Sequence, residues 1–267
     1  MAVYGFIGTG NMGGALAQAA CQAVDPADVI LADHTAAKAE ALAARLGCRS
    51  GSNEEAAASA DLLFLGVKPH AVAPLLESLA PVLEKRETPC TLVSMAAGLS
   101  VGAVQAMSGG DHPVIRIMPN TPSAIGQGMI LYTCAPDVSD EALQSFLGCL
   151  SRAGRLLALP EALIDAGSAV SGCGPAYADL FVQALADGGV ACGLPRAAAQ
   201  ELAAQTVLGA AALILETGRH PDELKDAVCS PGGTTIQGVR VLEERAFRGS
   251  VMDAVIAAYD KTLELKK

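Results

Sequence analysis

Two glycine-containing segments, near opposite ends of this 267-residue chain, have residue types suited to holding anions. The first is GTGNMG, Gly8–Gly13, which has the spacing G-x-G-x-x-G and lies between an apolar run and a helix-forming stretch. In that setting Gly8 permits a tight turn, Gly10 lets a pyrophosphate approach the backbone, and Gly13 lets helix and strand pack closely. The start of the helix offers free N–H groups to phosphates. This segment predicts dinucleotide binding.

The second segment is SPGGTT, Ser230–Thr235, between two helical stretches. Its proline stops the preceding helix, while Gly232 and Gly233 permit backbone angles that turn successive N–H groups inward. The hydroxyl groups of Ser230 and Thr235 add further donors at the start of the next helix. The segment suits a small carboxylate, although by itself it is more typical of a helix connector with a Ser/Thr cap.

One acidic residue bears on the choice of dinucleotide. Asp33 ends the second apolar run about twenty residues after the glycine segment, where an acid accepts from a ribose 2′-hydroxyl and favours NAD(H). His34, Thr35 and Lys38 lie beside it and are suited to a 2′-phosphate. A third reading is a solvated acid at the end of a strand. The sequence leaves these alternatives open.

The elements that must position these residues are short apolar strands alternating with helices. We predict strands at residues 2–7, 29–32, 62–67, 91–96, 114–118 and 128–134, and early helices at 15–24, 36–46 and 74–83. This alternation predicts a parallel sheet covered on both faces. From Pro175 onward only helical periodicity is found. The fold class is therefore α/β, with an N-terminal Rossmann-like, doubly wound parallel sheet in residues 1–160 and an all-helical C-terminal domain in residues 161–267.

Composition excludes several functions. The net charge of −10 argues against a nucleic-acid surface. The eight cysteines form no CxxC pair and the four histidines are scattered, so we expect no metal site. The longest apolar run, 207–215, is shorter than a membrane span, and the N-terminus has no basic region of a signal peptide. We expect a soluble, cytoplasmic protein.

Three further segments, VKPH at 67–70, RIMPNTP at 116–122 and SGCGPAYAD at 171–179, lie between the two glycine segments. In this order the five segments resemble the pyrroline-5-carboxylate reductase family over essentially the whole chain. The resemblance implies a Rossmann domain, a helical dimerisation domain, and reduction of 1-pyrroline-5-carboxylate to L-proline by NAD(P)H, the last step of proline biosynthesis. It also implies a homodimer, which in this family often assembles into a larger ring such as a decamer.

The resemblance implies roles for individual residues. The expected cofactor-binding residues are Ile7, Gly8, Thr9, Gly10, Asn11, Met12, Gly13, Asp33, His34, Asn53, Val67, Lys68, Pro69, Ala96, Ala97, Gly98 and Asn120. The expected substrate-binding residues are Glu161, Ser230, Gly232, Gly233, Thr234 and Thr235, with Thr235 and Ser230 as the catalytic pair. Many family members have serine, threonine or arginine where this chain has Asp33 and His34. The expected cofactor is NADP(H), with NAD(H) as the alternative because of Asp33.

The imine of such a substrate must carry a proton when it accepts hydride, because an iminium is the better electrophile. Neither SPGGTT nor GCGPAY contains histidine or lysine. Our hypothesis has two forms: the protonated imine binds directly, or Thr235 donates the proton, directly or through a water molecule.

Two other functions compete with this interpretation. A 3-hydroxyacid-type dehydrogenase would use a lysine early in the helical domain, but the helix ADLFVQALADGG, residues 178–189, has none. A non-catalytic dinucleotide sensor would not need the second anion-binding segment. Residues 175–217 carry few charges to cover their apolar faces, so we expect a dimer through the helical half. In that dimer the active site would lie between one subunit's sheet domain and its partner's SPGGTT helix.

Overall fold

The computed structural model describes residues 2–110 and 112–264. Its sheet has eight strands in the order β3-β2-β1-β4-β5-β6-β7-β8. The strands are β1 Tyr4–Ile7, β2 Val29–Ala32, β3 Arg49–Ser50, β4 Leu62–Leu65, β5 Thr91–Ser94, β6 Val114–Met118, β7 Gly128–Cys134 and β8 Gly154–Ala158. Strands β1 to β6 pair in parallel. β1 lies at the centre of this arrangement, with β2 and β3 on one side of it and β4, β5 and β6 on the other. The predicted doubly wound α/β fold is confirmed.

The central strands form because they are apolar on both faces. β1, β2, β4 and β5 are buried along their whole length, as expected for parallel strands covered by helices on both sides. Phe6 and Phe64 stack with ring centroids 4.2 Å apart in the cluster on one face. A second cluster, which includes Ile7 and Leu65, fills the other face. Two cores therefore fix the strand register that places the functional loops.

Seven helices accompany the sheet. They are α1 Asn11–Ala23, α2 Ala36–Leu46, α3 Asn53–Ser59, α4 Pro69–Leu83, α5 Val101–Met107, α6 Asp140–Cys149 and α7 Glu161–Ser171. α2 has the predicted bounds and ends at Gly47, which has φ 72°. α1 and α4 begin earlier than predicted. α4 starts at Pro69 because proline at the first helical position has a suitable φ and gives up an N–H that has no helical partner there.

The far edge of the sheet differs from the prediction. β7 pairs antiparallel with β6, and β8 pairs in parallel with β7. The connection between β6 and β7 contains only a short 3-10 helix, Thr121–Ile125, and a connection this short permits only an antiparallel neighbour. β3 and β8 were not predicted, because β3 has two residues and β8 is only half-buried.

The chain divides into two compact units. The first includes the sheet and continues to Cys173, and the chain rejoins it from Tyr259; the second is Gly174–Ala258. The second unit is built from α8 Gly174–Ala191, α9 Arg196–Thr217, α10 Pro221–Ala227, α11 Thr234–Glu244 and most of α12 Phe247–Glu264. By packing, α7 therefore belongs with the sheet. The sequence-based boundary at residue 160 stays a prediction.

α9, with 22 residues, is the longest helix of the second unit. By length and composition it is the one helix, within the residues that the structure describes, that could cross a membrane. This result differs from our expectation that no apolar stretch is long enough to span a membrane. The mean hydropathy over 18 residues stays high even when the polar residues that bound the run at 207–215 are included. Leu202, Leu208 and Leu215 on this helix are 56%, 56% and 60% exposed. Such a surface needs a partner.

Candidate active site

The first glycine segment connects β1 to α1 at the carboxyl end of the sheet. Gly8 has φ 96°, and its N–H donates to the Ala32 carbonyl oxygen at 2.8 Å. A Cβ added to Gly13 would collide with the Gly8 carbonyl oxygen, and one added to Gly66 would lie 2.6 Å from that oxygen. Three backbone segments thus meet too closely for side chains. Glycine at these positions is required by packing within the chain.

Gly10 is different, because a Cβ added there would meet no protein atom within 4 Å. It is the N-cap of α1 and no side chain caps that helix. The first N–H groups of α1 are therefore available to an external acceptor. The need for glycine at this position is explained by a ligand that approaches the backbone.

A cleft of about 540 Å³ opens beside this helix start. It lies where the chain leaves β1 and β4, the point at which the strand order reverses and where open α/β sheets bind ligands. The predicted cofactor residues that line it are Gly10, Asn11, Met12, Val67, Lys68, Pro69 and Ala97. Ile7 and Ala96 are buried beneath this edge, and Gly98, with φ 84°, follows Ala97. The structure therefore brings three separated segments of the sequence together.

Sequence reasoning missed four residues of this cleft: Gly66, Met95, Met118 and Pro119. Each directly follows the end of β4, β5 or β6, or ends it. These residues could have been found from the rule that the carboxyl ends of neighbouring parallel strands share one edge of a sheet, where ligands bind. That rule becomes usable only when the strand order is known.

Asp33 follows β2 and turns back to the glycine segment. Its Oδ2 accepts from the Thr9 N–H at 2.7 Å and from the Thr9 hydroxyl at 3.0 Å, and its Oδ1 accepts from the Thr35 N–H at 2.9 Å. Partial burial raises the pKa of this carboxyl, but the hydrogen bonds from Thr35 and Thr9, with nearby Lys38, outweigh it and hold the pKa below its usual value. Asp33 is therefore an ionised group fixed at the end of the strand.

A second cavity of the first unit, about 480 Å³, begins at Asp33. It is lined by Asp33, His34, Ala36, Ala39, Glu40, Ser50, Gly51, Ser52, Asn53 and Glu54. The Oδ1 atom of Asn53 is buried and has no hydrogen-bond partner among the described residues. A buried acceptor without a partner calls for a donor from outside the chain, which an adenosine group can supply. The lining therefore fits the role predicted for Asn53.

Two predicted site residues bind mainly to other protein groups. The Asn120 amide donates to the Ser171 carbonyl oxygen at 2.9 Å, and its Oδ1 accepts from the Met129 N–H at 2.8 Å. Glu161 Oε1 accepts from the Val101 N–H at 2.7 Å. Asn120 thus ties α7 to the strands beside the cleft, and Glu161 ties α7 to the start of α5. Their contacts with ligands stay predictions.

A buried ion pair supports the same wall. Arg116 on β6 is 1% exposed, and its Nη2 lies 2.6 Å from Asp165 Oδ1, which is also buried. Glu161 Oε1 lies 3.5 Å from Arg116 Nη1. Met118 and Pro119, which line the cleft, lie two and three residues after Arg116 on the chain. This network was not predicted, because Arg116 on β6 is far along the chain from Glu161 and Asp165 on α7, and no spacing signature links them.

The second glycine segment is described within its own unit. The Gly233 N–H donates to the Ser230 carbonyl oxygen at 3.0 Å, and Gly232 has φ 68°. Gly233 is the N-cap of α11, and no side chain caps this helix. The hydroxyls of Ser230, Thr234 and Thr235 are exposed and make no hydrogen bond within the part of the chain described here. The segment thus presents unpaired N–H and O–H donors, as an anion site does.

The residues of the first unit fit a dinucleotide. The open space at Gly10 suits a pyrophosphate, Asp33 suits a ribose, and the unpaired oxygen of Asn53 suits an adenosine group. These groups follow one another around the carboxyl ends of β1 and β2, where such ligands bind in doubly wound sheets.

Comparisons with known proteins agree with this site. Residues 3–98 match the family model described as "NADP oxidoreductase coenzyme F420-dependent", and residues 161–265 match "Pyrroline-5-carboxylate reductase dimerisation". A pyrroline-5-carboxylate reductase from Synechocystis sp. is 44% identical over 243 residues, 91% of this chain and 89% of that protein. This chain belongs to the pyrroline-5-carboxylate reductase family.

Solved structures of pyrroline-5-carboxylate reductases extend the likeness to the whole fold. The enzyme from Coxiella burnetii superposes with a TM-score of 0.92 at 31% identity, covering 100% of this chain and 99% of that one. The enzyme from Plasmodium falciparum, with NADP bound, gives a TM-score of 0.87 at 30% identity, covering 100% and 98%. The predicted family is confirmed, and the rival 3-hydroxyacid-type interpretation is set aside.

Proposed function

We propose that this chain reduces 1-pyrroline-5-carboxylate to L-proline, with hydride supplied by NAD(P)H, as the last step of proline biosynthesis. The observation that carries the proposal is the full-length likeness to reductases of this activity, from the dinucleotide segment to the helical domain. A sensor that only binds the cofactor is the alternative, and it would not need the donors at Ser230–Thr235.

The first unit holds the cofactor through its backbone. The N–H groups at the start of α1 bind the pyrophosphate, and Gly10, Asn11, Met12 and Lys68 border it. The residues Ala96–Gly98 after β5 form the floor under the nicotinamide end. When bound, the cofactor supplies the hydride and its electron pair. NADP(H) is the cofactor indicated by the family model and by the NADP-bound relative.

The second glycine segment binds the substrate. The negatively charged carboxylate of the substrate accepts hydrogen bonds from the free N–H groups at the start of α11, where the helix dipole favours an anion. Gly232 holds the turn in a left-handed conformation that other residues adopt at a cost, and Ser230 and Thr234 add hydroxyl donors. Glu161 stays in this set, and its hydrogen bond to Val101 fixes the start of α5.

Proton delivery involves Thr235 in one of two ways. Either its hydroxyl donates to the ring nitrogen, directly or through water, or the substrate arrives protonated and Thr235 holds the iminium N–H as an acceptor. Thr235 is exposed and its hydroxyl is free for either role. A pH profile of kcat/KM distinguishes them, because kcat/KM falls above the pKa of the substrate's imine if the protonated form binds, and falls below that pKa if the neutral imine binds and takes its proton from Thr235.

The assembly that we propose is a homodimer through the helical unit, extended into a larger ring such as a decamer. The dimerisation family model covers α9, whose exposed leucines need a partner. This explanation of the apolar surface of α9 supports a cytoplasmic location. Light scattering that reports a monomer at micromolar protein would overturn the dimer, and recovery of the protein in a membrane fraction would overturn the location.

The activity is tested by mixing the purified protein with 1-pyrroline-5-carboxylate and NADPH or NADH, then measuring nicotinamide absorbance and proline. Cofactor consumption that matches proline formation supports the proposal. A Gly10→Ala variant should weaken cofactor binding, since its Cβ enters the ligand space without meeting protein atoms. Gly148→Ala, which also meets nothing within 4 Å, is the matched control on α6. Cofactor binding without turnover would instead indicate a sensor.

A further inference from the structure

The cavity at Asp33 has a charge pattern that bears on the cofactor's 2′ position. Among the residues that line it, Asp33, Glu40 and Glu54 are acids, and His34 is the one side chain that can carry positive charge. No lysine or arginine belongs to this lining as the structure describes it. A 2′-phosphate carries up to two negative charges, so the acidic residues of this cavity repel it.

Asp33 is also fixed in its ionised form. Three hydrogen bonds, from the Thr9 N–H, the Thr9 hydroxyl and the Thr35 N–H, hold both carboxylate oxygens in place. A carboxylate has about four acceptor positions, so one remains for a ligand hydroxyl. An ionised carboxylate accepts from a hydroxyl, but it has no donor to offer a phosphate.

The features that favour a phosphate are weaker. Lys38 is close enough to act on Asp33, but it is exposed and does not line the cavity. The start of α2 is not capped by a side chain and Ala36 lines the cavity, but the N–H of its N-cap residue Thr35 donates to Asp33, so the ionised carboxylate lies at this helix start. Neither feature cancels the negative charge of the three carboxylates that line this cavity.

We infer that Asp33, with Glu40 and Glu54, makes this chain discriminate against the 2′-phosphate, so that NADH is used in preference to NADPH. The inference rests on the proposed function for its kinetic form, while binding of the oxidised cofactors tests it independently. NADP(H) remains a usable cofactor, because the pyrophosphate and nicotinamide contacts are common to both. The sequence alone could not decide between Asp33 and its basic neighbours.

The test compares kcat/KM for NADH and NADPH and, by calorimetry, the affinities for NAD⁺ and NADP⁺. Wild type should favour the 2′-hydroxyl form about tenfold in both measurements, as expected for like charges near a partly solvated site. Asp33→Asn should reduce that ratio about tenfold by improving binding of NADP⁺. Glu40→Gln, which leaves the Thr9 and Thr35 hydrogen bonds intact, should reduce it by a smaller factor. Glu84→Gln, which removes an exposed charge outside this cavity, is the matched control.

The outcomes separate this inference from the proposed function. Preference for NADPH and NADP⁺ in wild type overturns the inference, as does an unchanged ratio in both Asp33→Asn and Glu40→Gln, with folding verified by circular dichroism. Preferential binding of NAD⁺ without any turnover of 1-pyrroline-5-carboxylate upholds the inference and overturns the proposed function.

Discussion

The two glycine segments look alike in sequence but are held in different ways. Both lead into a helix whose N-cap is a glycine without a side-chain cap, Gly10 for α1 and Gly233 for α11. The first segment is closely packed against the backbone that follows β4. A Cβ added to Gly13, or to Gly66 just after β4, would collide with the Gly8 carbonyl oxygen. The second is exposed, and a Cβ on Gly232 would meet nothing within 4 Å.

This difference predicts which residues contribute to the stability of the fold and which contribute to ligand binding. Residues around the first segment are required by packing within the chain, so changing them should destabilise the fold as well as the site. The hydroxyl groups of the second segment bond to no other described group, so removing one of them should affect ligand binding alone. Four predictions test this contrast, in order of decreasing effect.

The largest effect is expected from Asp165→Asn, in the unit that contains the first segment. Removing the charge takes away the 2.6 Å buried partner of Arg116 and leaves only the longer, 3.5 Å contact with the more exposed Glu161, which should lower the free energy of unfolding by about 3–5 kcal/mol. Urea unfolding measures it. Replacing both residues, as Arg116→Met with Asp165→Leu, should recover most of the loss, since the unpaired buried charge is then gone. Equal losses in the single and double variants would contradict this account.

Gly13→Ala should be next. The added Cβ collides with the Gly8 carbonyl oxygen, and because that neighbour is backbone, the strain should cost about 3 kcal/mol. Thermal unfolding should show a reduced Tm together with weaker cofactor binding. Gly148→Ala on α6 is the matched change, and it should leave both measurements near wild type. Full stability in Gly13→Ala would show that the segment is not fixed by packing.

In the second segment, Thr235→Ala should lower kcat about a hundredfold while the unfolding free energy stays within error. Its hydroxyl is exposed and bonds to no other described group, so folding does not depend on it. Thr235→Ser restores the hydroxyl and should recover most of the turnover. A variant with unaltered turnover would remove Thr235 from the catalytic step, and one that unfolds would break the contrast between the segments.

The smallest effect concerns the ion pairs near the second segment. Hydrogen bonds from Arg248 and then Lys225 lower the pKa of Asp222 to about 2. Because the folded pKa is below the unfolded value of about 3.9, the stabilisation is present above that value and is lost as pH falls through about 2. The difference in urea midpoint between wild type and Asp222→Asn should therefore shrink on acidification. Asp253→Asn, also on the second unit, should retain the wild-type response.

Much of the fold could be predicted because its signals are local. Apolar runs such as VILA and LLFL have a length and composition that suit only buried strands, and KAEALAARLG specifies a helix with its glycine stop. β7 and β8 show where this ends. Their direction depends on the length of a connection and on pairing with distant strands, which local propensity does not contain.

The site divides in the same way. The glycine segments and Asp33 were found by spacing, since each role requires particular residues within a few positions of one another. Met95, Met118 and the Arg116–Asp165 pair were not found, because their role arises only when strands from distant parts of the chain lie side by side. No residue type or spacing marks them in advance.

By itself, the sequence determined that the chain has two glycine segments that lead into helices, a buried sheet and a helical half, because backbone conformation and hydrophobic burial are encoded in short stretches. Tertiary structure alone decided which way Asp33 points and which charges surround it. Electrostatic interactions act through space, so a cavity formed by β2, β3, α2 and α3 acquires its character only when those elements meet.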